Sequence, residues 1–162
     1  MQKTTFTKTT TVIIYISLIV YAYALFVLLF SRSGAHFGGL SLWEYVQYSS
    51  NFVPFKTVWE YITAMHTGRM NIGTPIRNLL GNLLMFAPLG FYLPFISAKL
   101  KKTANFALFT ALLILVIEVV QVFTRRGSLD IDDFILNMCG ALLGLLLCKH
   151  TPIRKLFESH VS

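Results

Sequence analysis

The sequence predicts an all-α membrane protein, built as a bundle of four transmembrane helices with a long interfacial loop between the first and second helices. Hydrophobic residues make up 55% of the 162 residues and charged residues only 13%, and the mean hydropathy is +0.64. A soluble domain of this length does not have so apolar a composition. The apolar residues also gather into four runs, so residues 1–162 are expected to form one membrane domain.

The positive net charge of the chain does not indicate that its partner is a nucleic acid. The formal net charge is +7, but the lysines and arginines lie at the ends of the apolar runs. They form no groove or patch interleaved with aromatic residues. We therefore expect no nucleic acid among the partners.

The first span covers residues 11–30, twenty residues without a charge, which is long enough to cross about 30 Å of hydrocarbon. A cleaved signal peptide is the competing interpretation. The apolar region of a signal peptide is usually about 7 to 15 residues long, and no small-residue cleavage site follows at residues 31–33. We therefore expect an uncleaved membrane anchor.

The connection over residues 31–75 is expected to lie on the membrane surface, because it is rich in aromatic rings, which prefer the headgroup level of a bilayer. Pro54 is predicted to precede a short interfacial helix within it. His36 and His66 lie thirty residues apart and lack the H-x-x-x-H spacing of a zinc site. Neither a metal ion nor a cofactor is predicted.

Three further spans are predicted over residues 76–97, 104–123 and 130–148. Thr74 followed by Pro75 is typical of a helix start, with Thr74 as the N-cap. Pro88 and Pro94 each remove a backbone hydrogen bond, so they should bend the second span and leave carbonyl groups that neighbours must satisfy.

The placement of lysine and arginine predicts that both termini are cytoplasmic. With four spans, the N-terminus, the turn near Lys99 and the C-terminal tail share one side and carry eight of the 14 Lys and Arg residues. The other six are spread over the much longer segments of the opposite side. Because cytoplasmic segments are enriched in Lys and Arg, the turn between the third and fourth spans should face outward.

Polar side chains cluster on the facing sides of the spans, close to that outward turn. At about 100° per residue, those of the third span share one helical face and those of the fourth fall within one arc. Inserting a carboxylate in an apolar helix costs roughly 2.5 to 3.5 kcal/mol, so Glu118 is a functional candidate. The candidate site comprises Glu118, Gln121, Arg125, Arg126, Asp130, Asp133 and Asn137, with Asn78 and Asn82 of the second span.

Helix capping explains part of this cluster. Asp130 is a candidate N-cap, with Asp133 three residues on as in a capping box, and residues 125–127 fit a helix C-terminus whose glycine turns left-handed. Capping does not explain Glu118, which lies about 10 Å deeper in the third span than Arg125, from the rise per residue of a helix. A purely structural polar network and a ligand or catalytic site are the two interpretations. In either, Gly140 and Gly144 are expected to let a partner helix approach closely.

Three groups of residues resemble the VanZ-like family of small bacterial membrane proteins, in matching order and spacing over residues 51–148. They are Asn51, Pro54, Phe55 and Lys56; then Asn78, Asn82, Phe86, Pro88 and Gly90; then Glu118, Gln121, Asp130, Asp133, Asn137, Gly140 and Gly144. Either Arg125 or Arg126 corresponds to the family's arginine. The resemblance implies a multi-pass protein of the bacterial plasma membrane, linked to reduced sensitivity to glycopeptide or lipoglycopeptide antibiotics such as teicoplanin.

Three classes of function compete as explanations of these residues. A non-enzymatic membrane factor would bind or displace a membrane lipid, a lipid-linked cell-wall precursor or a lipoglycopeptide antibiotic. Arg125 and Arg126 would then pair with a phosphate of the ligand. A membrane-embedded enzyme would instead act on a phospholipid or isoprenoid-phosphate headgroup, with Asp130 and Asp133 holding a divalent cation and Glu118 as base. The sequence has no zinc motif, nucleophile elbow or phosphate loop, which favours the first. Transport is a third function, for which four spans would have to oligomerise.

Overall fold

The structure is a computed structural model that describes residues 8–31 and 39–151. Arg32, His36 and the basic tail beyond residue 151 lie outside the described residues. The described stretches contain the helices α1 (Lys8–Phe30), α2 (Leu42–Ser49), α3 (Lys56–His66), α4 (Gly73–Met85), α5 (Leu89–Ile96), α6 (Thr103–Phe123) and α7 (Ile131–His150). A 3-10 turn, Ala98–Lys101, joins α5 to α6.

The predicted four-span bundle is confirmed. Each predicted span corresponds to a helical segment long and apolar enough to cross a membrane, and its ends differ from the prediction by at most three residues. These segments are Lys8–Phe30, Gly73–Ile96, Thr103–Phe123 and Ile131–His150.

The second span begins earlier than predicted, so Thr74 is not its N-cap. α4 starts at Gly73, because Asn71 supplies the acceptors for the first turn. Its Oδ1 accepts a hydrogen bond from the N–H of Gly73 at 2.8 Å, and its carbonyl accepts one from Thr74 at 3.0 Å. Pro75 then lies in the first helical turn, where a backbone N–H has no intrahelical partner in any case.

The same span is broken into α4 and α5 at residues 86–88. Pro88 takes the N-cap position of α5, where its missing N–H removes no helical hydrogen bond. Tyr21 of α1 donates a hydrogen bond to the carbonyl of Met85 at 2.7 Å. A neighbouring helix thus satisfies a carbonyl at the break, as expected for irregular backbone inside a membrane bundle.

α7 lies at the centre of the bundle and packs against α3, α4, α5 and α6. A Cβ atom on Gly140 would overlap the carbonyl oxygen of Leu83, and one on Gly144 would overlap that of Ala87. The predicted close approach at these glycines is therefore confirmed. The buried apolar core beside this contact of α7 with the second span comprises Leu29, Phe86, Leu89, Leu93, Phe106, Ile114, Ala141 and Leu145.

The part of the connection between α1 and α4 that the structure describes, residues 39–72, contains two helices. α3 follows Pro54 as predicted, whereas α2 is additional to the prediction. Its N-terminus is a capping box, in which Ser41 Oγ accepts from the N–H of Glu44 and the Glu44 carboxylate accepts from the N–H of Ser41. The Ser-x-x-Glu pattern is a sequence signal for that start. Trp43 and Trp59 are exposed, and their place at the headgroup level stays a prediction.

Candidate functional site

A polar cavity of about 430 Å³ lies between the spans, near the turn that joins α6 to α7. Its walls come from the end of α1, residues 77–85 of α4, the last half of α6, the α6–α7 turn and the first half of α7. Seven of the nine candidate residues line it: Asn78, Asn82, Glu118, Gln121, Arg126, Asp133 and Asn137. Arg125 and Asp130 make their contacts elsewhere, and Arg77 lines the cavity although it is not among the candidates.

Glu118 and Asn137 face the cavity from α6 and α7. Glu118 is 6% exposed and Asn137 is 5% exposed, because each lies on the side of its helix that faces the bundle. No donor in the described part of the chain reaches Oε1 of Glu118 or Oδ1 of Asn137. Buried polar atoms are nearly always hydrogen-bonded in folded proteins, so two such acceptors beside one cavity need an explanation.

The asparagines of α4 and Asp133 form a second polar group in the same cavity. Nδ2 of Asn82 donates a hydrogen bond to Oδ1 of Asp133, which joins α4 to α7. Nδ2 of Asn78 donates to the hydroxyl of Tyr61 at 2.5 Å, which joins α4 to α3. The sequence singles out both asparagines, but only the structure assigns them these separate partners.

Gln121 and Arg126 attach the end of α6 to the end of α1. Nε2 of Gln121 donates to the carbonyl of Leu29 at 2.9 Å, and Nη1 of Arg126 donates to the carbonyl of Phe30 at 2.6 Å. Both carbonyls belong to the last turn of α1, which has no intrahelical donors for them. α1 thereby closes one side of the cavity.

Arg125, rather than Gly127, is the left-handed residue at the end of α6, with φ of 54°. The N–H of Arg126 bonds to the carbonyl of Gln121 and that of Arg125 to Val122. This pairing is the Schellman pattern, which puts its left-handed residue at the position after the C-cap. The prediction for Gly127 is wrong because α6 ends two residues too early for the glycine to take that position.

The side chain of Arg125 points to the interfacial loop. Its Nη2 donates to the carbonyl of Leu40 at 2.7 Å, and its guanidinium lies 5.8 Å from the ring centre of Tyr45. Tyr45 in turn donates to the carbonyl of Gly127 at 2.6 Å. Arg125 therefore positions the loop and the α6–α7 turn, and of these two neighbouring arginines only Arg126 lines the cavity.

Asp130 is the N-cap of α7, as predicted: its Oδ1 accepts from the N–H of Asp132 at 2.9 Å. The same carboxylate accepts from Nδ2 of Asn51 at 3.2 Å and from Oγ1 of Thr57 at 2.7 Å. Backbone hydrogen bonds between residue 51 and residues 129 and 131 form a short parallel bridge beside them. Asp130 thus fixes the loop on α7.

Asp132 is an important residue that the sequence reasoning missed. It is 2% exposed, and its carboxylate accepts from the backbone N–H groups of Phe55, Thr57 and Val58. It supplies the anion at the start of α3, where Phe55 has a left-handed φ of 65° and makes no side-chain cap. Its position in the sequence is the available signal. Asp132 directly precedes Asp133 in α7, so its side chain leaves the helix about 100° away from the cavity face of Asp133.

Asp130 and Asp133 serve different parts of the fold, one the loop and the other the cavity. Among the described residues, no group of three His, Cys, Asp or Glu side chains is arranged to hold a metal ion. The cavity itself combines two carboxylates, three asparagine amides and one glutamine amide with two arginines at its edge. Such a set can bind a charged, hydrogen-bonding group between apolar helices.

Residues 18–155 match the family model described as VanZ/LLP1. The chain belongs to the VanZ/LLP1 family. No curated protein and no solved structure matches it. The match covers the second, third and fourth spans and residues 18–30 of the first, and it confirms the resemblance found in the sequence.

The three VanZ-like residue groups have distinct places in this fold. The group that begins at Asn51 docks the loop onto the start of α7. The asparagines of the second group line the cavity, and its Gly90 lies against the backbone of Gly144 and Leu145. The third group contributes Glu118 to the cavity, together with residues of α7. The groups therefore meet around α7.

Proposed function

We propose that this VanZ-like membrane protein lowers sensitivity to glycopeptide or lipoglycopeptide antibiotics by binding a lipid-linked component of the bacterial envelope. The cavity is the binding site. The observation that carries the proposal is a polar cavity among apolar spans whose buried Glu118 and Asn137 oxygens have no donor in the described residues. Intramembrane ionisable groups that face a cavity are functional by default.

The position of the cavity along the spans suits a ligand of the outer leaflet. It lies at the end of the bundle where α1 and α6 finish and α4 and α7 begin. Lys99, Lys101 and Lys102 lie at the opposite end. Because basic residues mark the cytoplasmic side, this placement supports cytoplasmic termini and an outward cavity in the plasma membrane.

The arginines at the cavity edge support a phosphate-bearing ligand. Arg126 and Arg77 are both exposed and both line the cavity. A guanidinium has five N–H donors, and one of those of Arg126 is bound to the carbonyl of Phe30. A guanidinium can bind a phosphate through two parallel hydrogen bonds, as it also binds a carboxylate.

A binding role is better supported than metal-dependent catalysis on a lipid headgroup. The catalytic scheme needs Asp130 and Asp133 to share one cation. The Asp130 carboxylate instead accepts hydrogen bonds from Asn51, Thr57 and the backbone of Asp132, and Asp133 accepts from Asn82. A measured metal requirement for any activity would favour the enzyme.

Native mass spectrometry of the gently extracted full chain tests the proposal. We expect a phospholipid or an isoprenoid-phosphate lipid to stay bound, and Arg126→Gln to lower the bound fraction and restore teicoplanin sensitivity at equal protein abundance. Arg69→Gln is the matched control, because Arg69 is exposed and lies outside the cavity. Retention of no phosphate lipid, or full protection by Arg126→Gln, would end the proposal.

A further inference from the structure

The deeper part of the cavity presents acceptors to a ligand. Oε1 of Glu118 and Oδ1 of Asn137 lie on facing helices, and no donor in the described stretches reaches either atom. Both side chains are more than nine-tenths buried and both line the cavity. A buried acceptor without a donor costs folding free energy. A donor-bearing ligand would remove that cost.

Two carboxyl groups lie in the same part of the cavity. Asp133 lies one helical turn from Asn137 and lines the cavity together with Glu118, and its carboxylate accepts a hydrogen bond from Asn82. No salt bridge from the described residues reaches Glu118. Like charges in apolar surroundings repel each other, and a cation between them stabilises both. The deep part of the cavity therefore suits a positively charged donor.

Resting on the proposed lipid-binding function, we infer that the cavity recognises a phosphate ester that carries a primary ammonium group. The ammonium has three N–H donors, which suit the oxygen of Glu118, the oxygen of Asn137 and the carboxylate of Asp133. The phosphate lies towards Arg126 at the α6–α7 turn. The two ends of the cavity thus match the two charges of a zwitterionic headgroup.

This assignment separates three common headgroups. A primary ammonium provides both the charge and the N–H donors. A trimethylammonium group keeps the charge but has no N–H to donate, so it leaves the oxygens of Glu118 and Asn137 unpaired. A glycerol headgroup offers hydroxyl donors without a positive charge, so it does not stabilise ionised Glu118 and Asp133 carboxyl groups as an ammonium would.

The test is native mass spectrometry of the full chain with an equimolar mixture of phosphatidylethanolamine, phosphatidylcholine and phosphatidylglycerol that have identical acyl chains. We expect phosphatidylethanolamine adducts to exceed each of the others by at least about tenfold, since a hydrogen bond to a charged group is at stake. Excess soluble phosphoethanolamine then shows whether the headgroup alone is enough for recognition. Displacement of the lipid supports recognition of the ammonium phosphate alone, and no displacement supports recognition of the intact lipid.

Two pairs of variants locate the selectivity in the cavity. Glu118→Gln and Asn137→Ala should reduce the preference for phosphatidylethanolamine to below about threefold. Glu60→Gln and Asn105→Ala are the matched controls and should keep it. Glu60 is exposed on α3 beside Lys56, and Asn105 is exposed at the start of α6.

Equal binding of the three lipids by the unmodified chain, or a preference for phosphatidylglycerol, would overturn the ammonium assignment, whether or not the variants fold. The proposed function would survive that result if lipid binding still fell in Arg126→Gln. Absence of every phosphate lipid from the unmodified chain would instead overturn both proposals, so the two failures are distinguishable.

Discussion

Oδ2 of Asp132 accepts a hydrogen bond from the backbone N–H of Thr57 at 2.8 Å. The N–H of Val58 reaches the same oxygen at 3.2 Å. The first turn of α7 therefore holds the first turn of α3. Helices usually obtain this acceptor from an N-cap of their own sequence, whereas α3 takes it from a residue seventy-five positions along the chain.

Asp132→Ala should lower the free energy of unfolding by about 1 to 3 kcal/mol or more, because backbone N–H groups at the start of α3 lose a buried charged acceptor. Asp132→Asn keeps one acceptor oxygen, so its stability should lie between those of Asp132→Ala and the unmodified chain. Thermal unfolding of the three purified proteins in the same detergent measures the order of their stabilities. Glu60→Gln provides an exposed control, and an unchanged midpoint for Asp132→Ala would refute the anchoring role.

Gly144→Ala should reduce stability by about 1 to 3 kcal/mol, and Gly144→Leu should also lower the amount of folded protein, because a side chain there meets the carbonyl of Ala87. Gly81→Ala is the matched control, since nothing lies within 4 Å of a Cβ at Gly81. Immunoblotting of membranes and thermal unfolding give the two readings. If Gly144→Leu matches the unmodified chain in both, α7 does not pack on α4 and α5 at this distance.

Glu118→Gln keeps the shape of the side chain but cannot ionise, so under the proposed function the protein should remain abundant while teicoplanin protection is lost. Asp133→Asn and Asn137→Ala should give the same loss without loss of protein, because they face the same cavity. Antibiotic sensitivity of cells that express each variant is compared with that of Glu60→Gln. Normal protection from an abundant Glu118→Gln protein would leave Glu118 with a structural role only.

Lys101→Cys and Ser128→Cys should label from opposite sides of the membrane, because α6 separates them. With cytoplasmic termini, a membrane-impermeant maleimide added to intact cells should reach Ser128→Cys and not Lys101→Cys. Permeabilised cells provide the control that both thiols can react. Labelling of both positions in intact cells would exclude the four-span arrangement.

Periodicity predicts the common faces of four residues that line the cavity from α6 and α7, but it also puts Arg125 and Asp130 on those faces, and neither of them lines the cavity. On a long apolar helix, the spacing of Glu118 and Gln121 fixes their common face, and the same holds for Asp133 and Asn137. The apolar runs likewise located every span within a few residues, because length and hydropathy decide membrane insertion.

The residues near the interfacial loop could not be placed in this way. Arg125 bonds to the carbonyl of a residue eighty-five positions away, and Asp130 and Asp132 bind the loop across more than seventy positions. Local pattern offers capping as the explanation for Arg125 and Asp130 and assigns no role to Asp132. It describes the N-cap role of Asp130 correctly, but contacts between segments so distant in sequence depend on the path of the loop.

Gln121 and Arg126 hold α1 through the main-chain carbonyls of Leu29 and Phe30, and not through its side chains. Any residue that sustains the helix would present the same carbonyls at those two positions. Insertion or deletion of one residue within α1 would instead rotate its end by about 100° and shift it by about 1.5 Å. The composition of this stretch is therefore open to change, while its length sets where that wall of the cavity lies.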